Sequence, residues 1–574
     1  MNEHLLEPLK GYDSHFRAQH AQNTADYFQD LLRQSRVDVE QNRATVKKYD
    51  AERATIERIQ KRISKYKVFR VLLIIACVLG GILLLFGACS FSADVGAALL
   101  LVFVGGAIFA GGLLLILKKI NPVIKDSNVL LQKHNERANA LYEEAMAQMA
   151  PLNALFDEGD TFRLIERTIP EFDFEPRFTE RAERAFVDHC DFVDRMGEQD
   201  SVLDTVSGHF CENPFLFYRH RSQRMGLHTY HGSLTIHWTE TYRDSKGNRH
   251  TRHRSQVLTA SVTKPKPEYS THTALVYGCQ AAPDLHFSRK AAHTERLSER
   301  ELERKIRSGE KELLERAEQS TVEGGDFREM TNTEFDVLFG ALDRDNEVQF
   351  RVMFTPLAQN NTVDLLRNTS GFGDDFSFYK QGRLNHIVSE HAQTWRMNTS
   401  PHHYISHSVD LAEQNFKGFN EAFFKSFYFD FAPLMSVPAY MEEPCYSLRE
   451  PYADAGNYTR YEHEALANKL GHRNFAPHGS ATESILKTAF WEKRGGVDCV
   501  TVTAHSFAAY DRVDFVPMMG GDGRMHSVPV PWVEYLPIRR DTEIEITDAS
   551  AQQPIDRESQ KAARLHGLLA YLLD

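Results

Sequence analysis

VLLIIACVLGGILLLFGA, residues 71–88, and VGAALLLVFVGGAIFAGGLLLIL, residues 95–117, decide the architecture of this 574-residue chain. Every residue in both stretches is apolar or small. A helix needs about 20 such residues to cross a hydrocarbon core of roughly 30 Å. Phe69 and Cys89 extend the shorter stretch, which gives expected spans at 69–89 and 95–117. Only residues 89–94 separate the two runs, so the helices are antiparallel neighbours joined by a tight loop. Because 67 largely polar residues precede the first span, it reads as an internal anchor and not as a cleaved leader. Lys61, Arg62, Lys65, Lys67 and Arg70 precede the first span, and Lys118, Lys119 and Lys125 follow the second. The connecting loop has no Lys or Arg. The positive-inside rule therefore predicts a two-pass protein of the cell membrane with both termini cytoplasmic. Small residues four apart, Ala76/Gly80 and Cys77/Gly81, then Gly106/Ala110 and Ala107/Gly111, suit close helix approach within the hairpin or between copies.

The remaining composition is that of a folded protein, 42% hydrophobic and 25% charged. Residues 1–67 hold 13 basic against 10 acidic side chains, so the net charge of −12 arises after the second span. That balance argues against nucleic-acid binding, which calls for a basic domain. Seven scattered cysteines without a C-x-x-C pair fit reduced thiols better than a disulfide framework or a zinc ribbon.

Working outward from the spans, residues 12–67 lack Gly and Pro and predict one long helix, about 85 Å at 1.5 Å per residue. Its heptad-like seam, Phe28, Leu32, Val39, Val46, Tyr49, Ile56 and Ile63, is interrupted at Ser35, Asn42 and Arg53. Pro122 opens a second helix through residue 167, and the two suit an antiparallel stalk or a dimeric coiled coil. The expected organisation is a stalk helix at 1–67, a membrane hairpin at 68–118 and a second stalk helix at 119–167. A β-rich domain follows at 168–290, a charged helical insertion at 291–330, and an α+β domain at 331–574. The fold class is α+β.

Within that plan, residues 179–193 predict a helix, and 229–242 with 249–262 a β-hairpin about the turn at 244–248, with a further strand at 275–278. Ser298 and Glu301 form a capping box for a charged helix to about residue 320. Helices are expected at 334–342, 410–431 and 459–470. A strand is expected at 347–355 and a hairpin at 376–388 around Gly382. Strands follow at 497–509, 512–519 and 526–536, and an amphipathic helix at 557–573.

No catalytic or cofactor motif is present, and neither a metal nor a cofactor is assigned. His463-Glu464 begins like a zinc-protease helix, but Ala467 occupies the second ligand position. Asp343 to Glu347 begins like a calcium loop, but it lacks the central Gly, and Phe354 stands where the bidentate Glu belongs. His228, His231, His237, His250 and His253 cluster on the first hairpin and His402, His403 and His407 in a loop; exposed or structural roles suit both groups better than a ligand set. Asp188, His189 and Cys190 are adjacent on a helix and point different ways. The aromatic run Phe416, Phe419, Phe423 and Phe427 has helical spacing and reads as core. One feature departs from the acidic background. Arg219, Arg221, Arg224, Arg243, Lys246, Arg249, Arg252 and Arg254 face only Glu240 and Asp244 in the same stretch. They are candidates for contact with an anionic membrane surface or an acidic partner, with a solvated strand face as the plain alternative.

The segments DSVLDTVSGHF (200–210), TYHGSLTIHWTETYRDSKGN (229–248) and AAPDLHFSR (281–289) resemble uncharacterised bacterial membrane proteins with two spans near the N-terminus. The resemblance implies a bacterial inner or plasma membrane setting and carries no activity. The sequence favours a membrane-tethered module that binds protein or anionic lipid, with homo-oligomerisation through stalk or spans open. The alternative is a membrane-anchored enzyme, such as a hydrolase using dispersed His, Asp and Glu.

Overall fold

The computed structural model describes residues 2–89, 95–175, 177–243, 247–369, 372–394, 398–443, 458–548, 562–565 and 568–572. The chain divides into two compact units. One comprises residues 24–157 and 400–419, and the other holds the remainder.

In the first unit the long helix expected over 12–67 is broken. One helix ends at Ser35, Arg36 takes a left-handed conformation (φ 53°), and a new helix runs Val39–Cys89. The Asp38 carboxylate accepts from the Gln41 amide at 2.9 Å and caps this second start. From there 51 residues run unbroken through the charged stretch into the apolar one, about 75 Å. The return helix Val95–Leu115 passes through a wider turn at Ile116–Ile120 into Asn121–Asn153, with Pro122 in the first turn. The two long helices pair antiparallel, one of the two arrangements the seam left open. Glu52 meets His134 at 2.5 Å and the rings of Tyr49 and Tyr142 lie 5.8 Å apart.

Asn42, an interruption in the seam, is buried and docks the 406–409 segment. Its amide donates to the His407 carbonyl at 2.9 Å and accepts from the Val409 amide at 3.1 Å. The polar seam residue thus admits a third element. Phe28, Phe156, Tyr404 and Phe416 close this end, with ring separations of 4.9–6.4 Å.

Both apolar segments are long enough to cross a membrane and are exposed along their length, with Phe86 at 66% and Phe103 at 79%. They meet each other along a narrow seam of small residues. A Cβ on Gly105 would stand 2.7 Å from the Gly80 carbonyl oxygen, and one on Gly112 would stand 2.5 Å from the Cys77 sulfur. Gly80 and Cys77 were expected at the contact. On the second helix the contact uses Gly105 and Gly112, seven apart, while Gly111 has open space around it.

The second unit is built on two antiparallel sheets. In the first, β1 (Phe172–Glu175), β2 (Asp200–Phe210), β3 (Asn213–Arg243), β4 (Arg249–Gly278), β5 (His286–Arg289), β6 (Phe376–Gln381) and β7 (Leu384–Ser389) lie in the order β1-β2-β3-β4-β7-β6-β5. In the second, β8 (Ile485–Arg494), β9 (Val497–Met519), β10 (Met525–Asp548), β11 (Ala562–Leu565) and β12 (Leu568–Leu572) lie in the order β11-β12-β10-β9-β8. The helix Arg460–Leu470 sits between them. Its Tyr461, Leu466 and Leu470 join Leu216, Val276 and Leu384 of the first sheet to Val500, Val502 and Ile544 of the second in one core. The aromatic run is core as expected, since Phe427 and Phe431 pack on Phe172 and Phe215 at 4.9–6.5 Å.

Most expected elements are present, including helices at Glu180–Cys190 and Val409–Met435, the capped helix Glu299–Glu323, and the turn at Gly382 (φ 59°). Besides the broken long helix and the strand expected at 275–278, which is the end of β4, three further expectations are overturned. Residues 347–353 are helical because Asn346 caps the Gln349 amide and Phe350 and Met353 are buried at helical spacing, leaving Val348 and Val352 in solvent. The strands expected at 497–509 and 512–519 are one continuous strand, β9. The terminal helix expected at 557–573 is replaced over 562–565 and 568–572 by β11 and β12; β12 pairs with the end of β10 and satisfies its backbone edge, and β11 pairs with β12.

Candidate functional site

Beyond Ser222 no strand other than β4 flanks β3, and beyond His505 no strand other than β10 flanks β9 among the described residues. Two hairpins therefore leave their sheets and continue as a pair. From Gln223 to Arg243 the first runs about 65 Å at roughly 3.3 Å per residue.

Register assigns every side chain of this arm to a face. In the first hairpin Tyr230 lies opposite Val262, Leu234 opposite Leu258 and Ile236 opposite Gln256. This face packs on Val516, Met518, Val528 and Val530 of the second hairpin, so the arm is a two-layer sandwich with its own small core. A polar clamp supports it. Asp514 accepts from Lys264 at 2.7 Å and from the Trp532 indole at 2.9 Å, and the Lys264 ammonium lies 4.3 Å from the centre of that ring. These two donors hold the Asp514 carboxyl below its usual range. At the end of the second hairpin the Gly521 amide donates to Gln256 Oε1 at 2.7 Å, beside Trp238. Residues 239–243 and 247–254 of the first hairpin extend past that point.

The two outer faces differ. On β3/β4 the outward residues from 229 to 241 and from 251 to 263 are Thr, Ser and His, with Val257 the one aliphatic. Thr229 and Thr263 share a hydrogen bond of 3.0 Å across this face. On β9/β10 the outward residues include Val513, Phe515, Pro517, Met519, Met525 and Pro531, all exposed, and Asp511 is the one charged residue of this outward set between 509 and 537. Pro529, Pro531 and Pro537 stand at alternate positions of β10, whose edge along 525–543 has no partner strand among the described residues. Each removes a donor from that edge and blocks strand addition.

The eight basic residues do not form one surface. Arg219 and Arg221 line a cleft of about 550 Å³ at the arm's base with Asp204, Tyr269, Lys469 and Glu483, and Arg221 pairs with Glu483 at 3.1 Å. Arg224 is exposed opposite Glu268. Arg243 and Arg249 face each other across the strands on the hydroxyl-rich side near the tip, while Arg252 and Arg254 lie on the side that carries the second hairpin. Arg254 pairs with Glu240 at 3.0 Å and holds that carboxyl below its usual range. Lys246 lies outside the described residues.

His231 and His237 are exposed on the same outer face as expected, and no group of three metal-ligating side chains is assembled among the described residues. His403 stacks on Phe419 at 4.6 Å. His463 is buried and lies 3.5 Å from Asp498. Asp343 and Asp345 spend their carboxylates on β5, accepting from the Ser288 and His286 amides at 2.8 and 2.7 Å. Cys190 is buried and Asp188 exposed, on different sides of their helix. Sequence reasoning missed two groupings. One is the buried imidazole of His391, held between Asp375 at 2.7 Å and Asp430 at 3.2 Å, its pKa raised to about 10 by these carboxylates against the opposing effect of burial. The other is the apolar outer face of β9/β10, for which the signal was present: Val513, Phe515, Pro517 and Met519 recur at period two, out of phase with the inward Val516 and Met518.

No family model, no curated protein and no solved structure matches this chain.

Proposed function

We propose that this chain is a two-pass membrane protein that tethers its sheet-bearing unit at the bilayer as an interaction module, with the double-hairpin arm as the binding element. One observation carries the reading. Two consecutive helices pack on each other through Gly80, Gly105, Cys77 and Gly112 and expose apolar side chains everywhere else, a surface that water does not tolerate and lipid does. The Lys and Arg flanks at 61–70 and 118–125 favour a cytoplasmic location for both termini. A hydrolase is the less favoured reading, because His391 and His463 are engaged with carboxylates inside the core.

The test is topological. In sealed right-side-out vesicles an impermeant maleimide should label a Ser92→Cys variant made in a Cys89→Ala background and spare a Val322→Cys variant. Labelling of Val322→Cys with protection of Ser92→Cys would reverse the orientation, and equal labelling of both would refute the two-pass anchor.

A further inference from the structure

The arm is amphipathic as a slab. One outer face is lined by hydroxyls and imidazoles that suit water, and the opposite one by Val, Phe, Pro and Met side chains with almost no polar atoms. An exposed apolar face of this kind is costly in water and marks an interaction site. Three features narrow the occupant. The prolines along the open edge of β10 exclude an added strand, so the face itself is what binds. Apart from Tyr535 near its base, the face lacks the Tyr, Trp and Arg anchors with matched polar groups that mark the centre of protein–protein contacts. Past its distal end, Arg252 and Arg254 project on the same side of the first hairpin, flanking Glu240, a net basic margin beside an apolar surface. Apolar area bordered by Lys and Arg is the combination that holds amphipathic elements at anionic lipid, the apolar part entering the headgroup boundary and the cations meeting phosphates.

We propose that the outer face of the β9/β10 hairpin, with Arg252 and Arg254 beside its tip, docks on the surface of an anionic phospholipid bilayer. This rests on the reading of the chain as membrane-tethered, which keeps a bilayer at high effective concentration. Phe515, Met519 and Met525 supply the inserting side chains, and the hydroxyl-rich face of β3/β4 stays in water.

The full chain, reconstituted in vesicles of phosphatidylcholine and phosphatidylglycerol that carry a doxyl-labelled lipid, provides the test. A bimane probe on Met525→Cys should be quenched at least about twofold more than one on Thr259→Cys of the opposite face. The difference should vanish in pure phosphatidylcholine and in an Arg252→Glu, Arg254→Glu variant. Equal or absent quenching at the two positions overturns the proposal, including the case in which an acidic protein covers the face. Alkaline extraction of the same vesicles keeps the two readings apart. A chain that resists extraction but shows no difference refutes lipid docking alone, and a chain that is extracted refutes the tether as well.

Discussion

Gly232 of β3 lies against the backbone of β10 with no room for a side chain: a Cβ built there overlaps the Pro529 carbonyl oxygen and stands 2.8 Å from the Val530 Cα. The two hairpins are in contact at that point because the residue is glycine. Gly232→Val should force the layers apart and destabilise the arm by about 1–3 kcal/mol. Ser233→Ala, one residue along on the exposed outer face, should have little effect. Hydrogen exchange of the β3 and β10 amides distinguishes the two, with faster exchange expected in the first variant alone.

The clamp beside it gives the arm an acid limit. Asp514 titrates below its ordinary value of 3.8 because Lys264 and Trp532 donate to it. A depressed carboxylate contributes stability above the unfolded pKa and loses it as pH falls through the folded one. Acid should therefore loosen the arm below about pH 4. Asp514→Asn should flatten that dependence while lowering stability at neutral pH, read from exchange of the β9 and β10 amides across a pH series.

His391 gives the opposite sign. Its pKa is raised from 6.5 to about 10 between Asp375 and Asp430. A raised pKa contributes stability that is complete below pH 6.5 and is lost as pH rises through about 10. Denaturant unfolding should show the sheet unit losing stability toward alkaline pH. His391→Asn leaves two buried carboxylates without their cation and should cost about 3 kcal/mol at neutral pH.

Much of this architecture was legible because its signals are local. The apolar runs, the capping box at Ser298 and the paired strands at 229–242 and 249–262 each lie within one stretch of chain; of the expected turn, 244–246 fall outside the described residues. What escaped depends on pairing across the chain. Residues 347–353 carry β-branched residues, yet the Asn346 cap and the Phe350/Met353 spacing prevail. Residues 568–572 take their form from the edge of β10, and 562–565 from the strand so added, which no local pattern reveals. The basic residues of 219–254 read as one cluster in the sequence, and the strict alternation of an antiparallel ladder divides them between two faces and a cleft. Asn42 read as a defect in a helix seam because its partner lies 365 residues away.

The seam between the apolar helices is specific in its glycines. Gly105→Leu meets the Gly80 carbonyl and the Leu84 amide, both 2.7 Å from its Cβ, and should lower the stability of the helix pair by about 1–3 kcal/mol in detergent. Gly111→Leu enters open space and should be tolerated. Thermal unfolding followed by far-ultraviolet circular dichroism compares the two.

The anchor is the claim on which the functional account depends, and alkaline carbonate extraction of membranes from cells expressing the full chain tests it most directly. The account predicts that the protein stays in the membrane pellet and leaves it only with detergent. Release into the carbonate supernatant as a soluble protein would contradict it.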